Sequence, residues 1–174
     1  MKLSDAIELI NNPGVSIPDS SMWADLGCGS GLFTNALAKL LSPGSKIYAV
    51  DKDVSSFKNI SLPKNVSIEI INADFIRDDL PFHDLNGIMM ANSLHFLRDK
   101  ISLLAKLRHH MKGYGSFLIV EYDMDTPNPW VPFPLSYYSL RKLFEKLNYD
   151  SIQKLYERSS VYNRANIYSA LISF

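Results

Sequence analysis

Nine residues constrain the fold of this chain more than any other stretch: Trp23-Ala24-Asp25-Leu26-Gly27-Cys28-Gly29-Ser30-Gly31. A short apolar run carries an acidic residue near its end, glycines follow on alternate positions, and Leu32, Phe33, Ala36, Leu37, Leu40 and Leu41 then fall at helical spacing. That order predicts a strand, a tight glycine turn and a helix N-terminus. Glycines serve such a turn because the chain must reverse sharply and let a ligand approach the backbone with no Cβ in the way, while the free N–H groups of the helix start attract negative groups. The stretch reads as a nucleotide cradle.

Its spacing narrows the ligand. A dinucleotide turn wants a glycine or alanine three positions after the second glycine, so that a pyrophosphate can sit on the helix N-terminus. Counting from Gly29, that position is Leu32, and the third glycine is Gly31 instead. No Gly-Lys-Ser/Thr follows, so the lysine that would hold β- and γ-phosphates is missing as well. Neither phosphate-centred reading fits.

Composition supports one ordinary globular unit. A chain of 174 residues with 47% hydrophobic and 21% charged residues can bury a core and is too short for a second substantial domain. Eighteen basic residues balance eighteen acidic ones, so there is no electrostatic footprint for nucleic-acid phosphates. The single cysteine, Cys28, excludes an internal disulfide and reads as a small packing residue of the turn. The first residues lack the apolar core of a signal peptide, and no apolar run approaches membrane-spanning length, so a soluble, cytoplasmic protein with no membrane partner is expected.

Along the chain, Leu3, Ala6, Ile7 and Ile10 predict a short helix capped at Ser4 and stopped by Asn11-Asn12-Pro13-Gly14. Lys46–Val50 is a second strand ending in Asp51, which lies about where an acidic residue meets ribose hydroxyls in nucleotide-binding βαβ units. A weak helix over 54–60 leads to a third strand, Val66–Ile71, and then to Asn72-Ala73-Asp74-Phe75. Leu85–Ala91 is a nearly continuous apolar run of the kind buried on both faces of a parallel sheet, and it delivers Asn92-Ser93-Leu94-His95-Phe96-Leu97 to the edge where such sheets bind ligands. A helix with Ile101, Leu103, Leu104, Leu107 and Met111 is expected to stop at Gly113, its Lys106, Arg108, His109, His110 and Lys112 forming a solvated basic face. Adjacent histidines on a helix diverge, so no metal site is expected there.

A fifth strand, Ser116–Val120, ends in Glu121-Tyr122-Asp123. From Met124 to Leu135, four prolines interleave with Trp130, Val131 and Phe133, which suits either a stiff lid or a loop packed on its neighbouring helix. Leu140, Leu143, Phe144 and Leu147 mark the last helix, and Ser151–Glu157 and Asn166–Phe174 form a hairpin around Ser159–Arg164. The expected fold is α/β: a doubly wound, mostly parallel seven-stranded sheet with helices on both faces and an antiparallel C-terminal hairpin.

Read from Asp25, the pattern Asp-Leu-Gly-Cys-Gly-Ser-Gly closely resembles the first motif of class I S-adenosylmethionine-dependent methyltransferases, whose cofactor carries no phosphate. The similarity runs over nearly the whole chain and is closest to the small-molecule branch that includes quinone-biosynthesis enzymes. It implies a single domain over residues 1–174 with no separate cap domain, leaving the first helix and the proline-rich loop to enclose a substrate. It further implies S-adenosyl-L-methionine as cofactor, S-adenosyl-L-homocysteine as product, and methyl transfer to a small-molecule acceptor by in-line displacement, which depends on alignment. Gly27, Cys28, Gly29 and Gly31 would form the turn around the cofactor and Asp25 would help place its amino group. Asp51, with Lys52 beside it, would bind the ribose, Asp74 and Phe75 the adenine, and Asn92 and Ser93 the methionine end.

His95 is the first candidate for a base, because imidazole accepts a proton near neutral pH. Asp123 is a second, followed by Glu121, Tyr137 and Tyr138. The Asn/Asp-Pro-Pro-aromatic motif of adenine and glutamine methyltransferases is absent, which turns the reading away from those acceptors. Three rivals stand beside it: a non-catalytic cofactor-binding partner subunit, a protein or RNA methyltransferase, and a nicotinamide-dependent oxidoreductase, the last contradicted by Leu32.

Overall fold

The computed structural model describes residues 1–15, 19–58, 65–159 and 165–173. Chain order is α1 (Leu3–Ile10), β1 (Met22–Leu26), α2 (Leu32–Leu40), β2 (Lys46–Asp51), β3 (Ser67–Asn72) and β4 (Leu85–Ala91), followed by a 3-10 turn (Leu94–Phe96). Then come α3 (Lys100–Arg108), β5 (Met111–Tyr122), α4 (Tyr137–Lys146), β6 (Ser151–Ser159) and β7 (Asn166–Ser173). Seven strands form one sheet in the order β3-β2-β1-β4-β5-β7-β6, parallel from β3 to β5 and antiparallel at β5/β7 and β7/β6. The expected doubly wound sheet with an antiparallel end is the fold observed.

Alternation along the central strands explains their unbroken apolar runs. In β4, Ile88 and Met90 face a core shared with Leu103, Leu104 and Leu107 of α3 and Leu140 and Phe144 of α4. Met89 and Ala91 face the opposite core, with Ala6, Leu9 and Ile10 of α1 and Phe33, Ala36 and Leu37 of α2. Strand β5 divides in the same way, Phe117 and Ile119 against Leu118 and Val120. Because β1 pairs with both β2 and β4, the chain winds outward from it in two directions, and a crevice opens between these strands at their carboxyl ends.

Several local expectations are corrected. Helix α3 ends at Arg108, and Met111 and Gly113 belong to β5, which starts five residues before the predicted Ser116. Met111 pairs with Leu85 across an irregular step in the ladder, so its apolar side chain answers a strand's pattern where helical spacing also fitted. At α1 the helix starts at Leu3, and the Lys2 N–H donates to Asp5 Oδ2 at 3.2 Å, so Ser4 lies within the helix. Residues 54–58 form a turn closed by the Phe57 N–H donating to the Val54 carbonyl at 3.1 Å; residues 59–60 of the expected weak helix lie outside the described residues, as do 160–164 of the hairpin connection and Phe174. His110 Nδ1 lies 2.7 Å from the Phe82 carbonyl and Lys112 Nζ donates to Asn86 Oδ1 at 3.2 Å, so part of the basic cluster fastens loops. Among the described residues no helix is long and apolar enough to cross a membrane.

The sheet leaves no room at Gly87, where the ring of Trp23 on the neighbouring strand lies over the backbone and a Cβ would come within 2.3 Å of it. Gly87→Val is expected to destabilise the protein by about 1–3 kcal/mol through overpacking. At Gly113 a Cβ meets nothing within 4 Å, and Gly113→Ala should change stability by no more than about 0.5 kcal/mol. Urea unfolding of the two variants beside wild type checks the contrast; equal effects would show that the Trp23 contact is soft.

Candidate functional site

A cavity of about 390 Å3 opens at the carboxyl ends of β1 to β4, within the size range of ligand pockets. Eight of the residues expected from sequence line it: Gly27, Gly29, Asp51, Lys52, Asp74, Phe75, Asn92 and Ser93. Ala73, Ile76, Phe96 and Leu97 complete the wall; Phe96 and Leu97 belong to the stretch expected at this edge, while Ala73 and Ile76 flank the expected Asp74 and Phe75. Each is a close neighbour of an anticipated residue, and only the loop geometry turns it inward.

The glycine turn is held by its neighbours. Gly27 and Cys28 N–H groups both donate to the Val50 carbonyl, at 2.8 and 3.1 Å. The Gly29 N–H donates to Asp51 Oδ2 at 2.8 Å, and the Asp53 N–H donates to Oδ1 at 3.1 Å. Asp51 therefore locks the turn to β2 while facing the cavity. Gly27 has φ +82° and stands against Ser93, whose Cβ would be 2.5 Å from a Cβ at that position. Ser93 Oγ in turn donates to the Leu26 carbonyl at 2.7 Å. Only glycine suits both the backbone and this approach. A Cβ at Gly29, by contrast, would meet no atom of the described residues within 4 Å, so that face of the turn is open to a ligand.

On the β4 side, Asn92 adopts the left-handed region with φ 54°, a conformation that asparagine tolerates better than most residues. Its N–H donates to the Val120 carbonyl at 2.8 Å, while Oδ1 is buried with no hydrogen-bond partner among the described residues. A buried acceptor in this condition calls for a donor from the ligand. Asp74 accepts the Ile76 N–H at 3.0 Å, so its carboxylate shapes its own loop while it lines the cavity. Phe75, Ile76, Phe96 and Leu97 supply apolar walls, and among the described residues Lys52 is the one cation of the lining. This donor set fits a planar base, a pair of hydroxyls and an amino group better than a chain of phosphates.

Other expected residues lie outside the cavity lining. Asp25 is buried, its Oδ2 accepting the Thr34 hydroxyl at 2.5 Å while Oδ1 has no hydrogen-bond partner among the described residues. Strand alternation puts it under α2, away from the cavity. Gly31 has φ +82° and packs on the Phe57 ring. Cys28 is buried, and burial pushes its thiol well above the usual range, which leaves it inert. Asp123 accepts the Tyr137 N–H at 2.8 Å and lies 3.6 Å from Lys154 Nζ, which makes it a fastening at the start of α4. Tyr137 donates its hydroxyl to the Ile152 carbonyl at 3.2 Å, and Tyr138 is exposed beneath Lys142. None of residues 124–135 lines the cavity; the loop is fixed to the 3-10 turn and α3 by Phe133, whose N–H donates to the His95 carbonyl at 3.0 Å. The proline-rich loop thus packs on its neighbours, and α1 lies on α2 and the far end of the sheet.

His95 also stands behind the cavity wall. It is 3% exposed, its Nδ1 is 2.6 Å from Glu121 Oε2, and its backbone N–H donates to Glu121 Oε1 at 3.1 Å. Its ring lies 4.3 Å from that of Phe96, which reaches the cavity. Glu121 thus fixes both the ring and the backbone of the turn.

A family model described as a methyltransferase domain matches residues 24–117, more than half of the chain. Curated proteins give no significant match. Solved structures give many. A SAM-dependent methyltransferase from Aquifex aeolicus is 17% identical with a TM-score of 0.62, covering 99% of this chain and 98% of its own. The plantazolicin methyltransferase BpumL in complex with SAH is 13% identical with a TM-score of 0.67, covering 98% and 82%. The magnesium protoporphyrin IX methyltransferase ChlM of Synechocystis PCC 6803, with bound SAM, is 12% identical with a TM-score of 0.66, covering 97% and 77%. At these identities the shared property is the fold.

Burial pushes the Asp25 carboxyl up from an ordinary 3.8 to about 7, opposed by the Thr34 hydrogen bond and reinforced by the nearby charge of Asp51. Between these two values the native state keeps a proton that the unfolded chain has lost. This contribution is therefore complete below pH 3.8 and fades as pH rises to about 7. Relative to Asp25→Asn, wild type should lose stability by about 1.4 kcal/mol per pH unit across that window. Paired urea titrations of the two proteins measure the slope; a flat difference across the window would show that Asp25 is ionised in the folded state.

Proposed function

The chain belongs to the methyltransferase-domain family, and from that premise we propose that it is an S-adenosyl-L-methionine-dependent methyltransferase of a small-molecule acceptor, working as a single domain. The observation that carries this reading is the cavity itself, where an open glycine turn, the Asp51 carboxylate and the unpartnered Asn92 Oδ1 converge. Two proteins of similar fold hold SAM or SAH, which supports the same ligand here.

Asp51 and Lys52 would hold the ribose, Asp74 and Phe75 the adenine, and Gly27, Gly29 and Asn92 the methionine end. When bound, the cofactor supplies an electrophilic methyl group on sulfur. The protein's part is to orient, to exclude water and to take a proton where the acceptor must lose one. His95 would take that proton once Phe96 turns aside, since its ring lies 4.3 Å behind that of Phe96 at the cavity wall. With Nδ1–H donated to Glu121, the Nε2 lone pair is left to receive it, and no described residue hydrogen-bonds that nitrogen. Glu121 is a positioning residue that fixes the ring and supports the charge acquired by it.

Calorimetric titration tests the cofactor assignment. SAM and SAH should bind with micromolar affinity, NADH should not bind, and Asp51→Ala should cost about 1–3 kcal/mol of SAH affinity. Binding of NADH, or of none of the three, would sink it. For the chemistry, SAH release is followed over a panel of phenolic and quinol acceptors. Glu121→Gln should lower kcat on any acceptor turned over by about 10- to 100-fold, with SAH binding unchanged. Firm cofactor binding with no turnover on any acceptor would favour the non-catalytic subunit instead.

A further inference from the structure

A second cavity, of about 370 Å3, opens between the start of α3 and the outer side of α4. Among the described residues its lining holds Arg98, Lys100, Lys142 and Lys146 against a single carboxylate, Asp99. Four cations less one anion leave three positive charges in excess, in a chain whose total is zero. The carboxylate is already engaged, its oxygens accepting the Ser102 N–H at 3.1 Å and hydroxyl at 2.7 Å as the cap of α3. Among the described residues, no ion pair within 4.0 Å involves Arg98, Lys142 or Lys146. Elsewhere on the surface lysines and arginines do find carboxylates, as Lys46 with Glu69, Arg141 with Glu145 and Arg158 with Asp5. The positive end of the α3 dipole adds to the field.

Lys100 gives the groove a rigid floor. It is nine-tenths buried, and its Nζ donates to the Leu97 carbonyl at 2.7 Å and the Phe133 carbonyl at 2.9 Å. Leu97 lines the cofactor cavity and Arg98 lines the groove, so the two openings are adjacent along the chain. Phe96, 59% exposed, is at the mouth of the first. A groove whose Arg98, Lys142 and Lys146 make no ion pair among the described residues suits an anion, and the exposed ring of Phe96, two residues before Arg98 in the chain, suits an apolar body. Resting on the methyltransferase reading above, we propose that this groove holds the anionic group, phosphate or carboxylate, of the methyl acceptor, whose apolar part lies over Phe96 toward the cofactor.

The test titrates 1-naphthyl phosphate and inorganic phosphate into the protein at fixed ionic strength, with and without saturating SAH. Naphthyl phosphate should bind saturably and at least tenfold tighter than inorganic phosphate. The double variant Lys142→Ala/Lys146→Ala should weaken it at least tenfold, Lys142→Arg/Lys146→Arg should retain it, and SAH affinity should be the same in all three proteins. Absence of saturable binding, or binding indifferent to the alanine variant, overturns the proposal. Equal affinity for the two phosphates also overturns it, by making the groove a site for free anions. Failure of SAH to bind wild type would strike the cofactor assignment alone, since the titrations without SAH still decide the groove.

Discussion

Everything at the ligand edge of this protein depends on how closely the turn after β1 can approach the turn after β4. Gly27 and Ser93 meet there with no space for one more carbon, and the Ser93 hydroxyl closes the approach by bonding the Leu26 carbonyl. From the other side, the Val50 carbonyl and the Asp51 carboxylate take three N–H groups of the same turn. Three consecutive strands of the sheet are thereby laced at their carboxyl ends by a segment with almost no side chains. The floor of the cavity is backbone, and its shape is as rigid as the sheet that carries it.

Much of this was legible because it is local. A strand, a run of alternate glycines and a helix at 3.6-residue spacing specify one kind of turn, Asp51 at the end of the next strand follows from counting, and Asp74 follows from the resemblance. Asp51 and Asp74 both reach the cavity wall. What escaped the reading depends on neighbours distant in sequence. The strand-against-helix choice at Met111 was decided by Leu85 on the adjacent strand. The partner of His95 is 26 residues away and is brought to it by the pairing of β4 with β5. Asp25 was assigned to the cofactor on resemblance, yet alternation with Trp23 points it under α2. Aromatic residues between prolines fitted a lid and a packed loop equally, and Lys100 together with the His95 carbonyl decides for the packed loop.

Buried polar groups organise the site from behind. Glu121 holds His95 by ring and backbone, Lys100 ties two loops through their carbonyls, and Thr34 anchors Asp25 across the helix-strand contact. Each replaces lost hydration with short, directed bonds, which is the condition for keeping such groups inside at all. The walls in contact with a ligand are left to apolar rings and backbone.

The strand order β5-β7-β6 bears on how the protein is made. The outer edge of β5 carries Phe117–Val120, fully buried in the finished sheet, and its partner is β7, the final strand. As the chain leaves the ribosome, the nucleotide-binding half can pair in sequence while this apolar edge waits for residues 166–173. An unpaired edge of that kind is a template for association with other chains. Synthesis therefore passes through an interval in which the first five strands are assembled and the β5 edge of the sheet is open. The rate at which β7 arrives and inserts, rather than any property of the ligand cavity, sets how long a nascent molecule is exposed to misassembly.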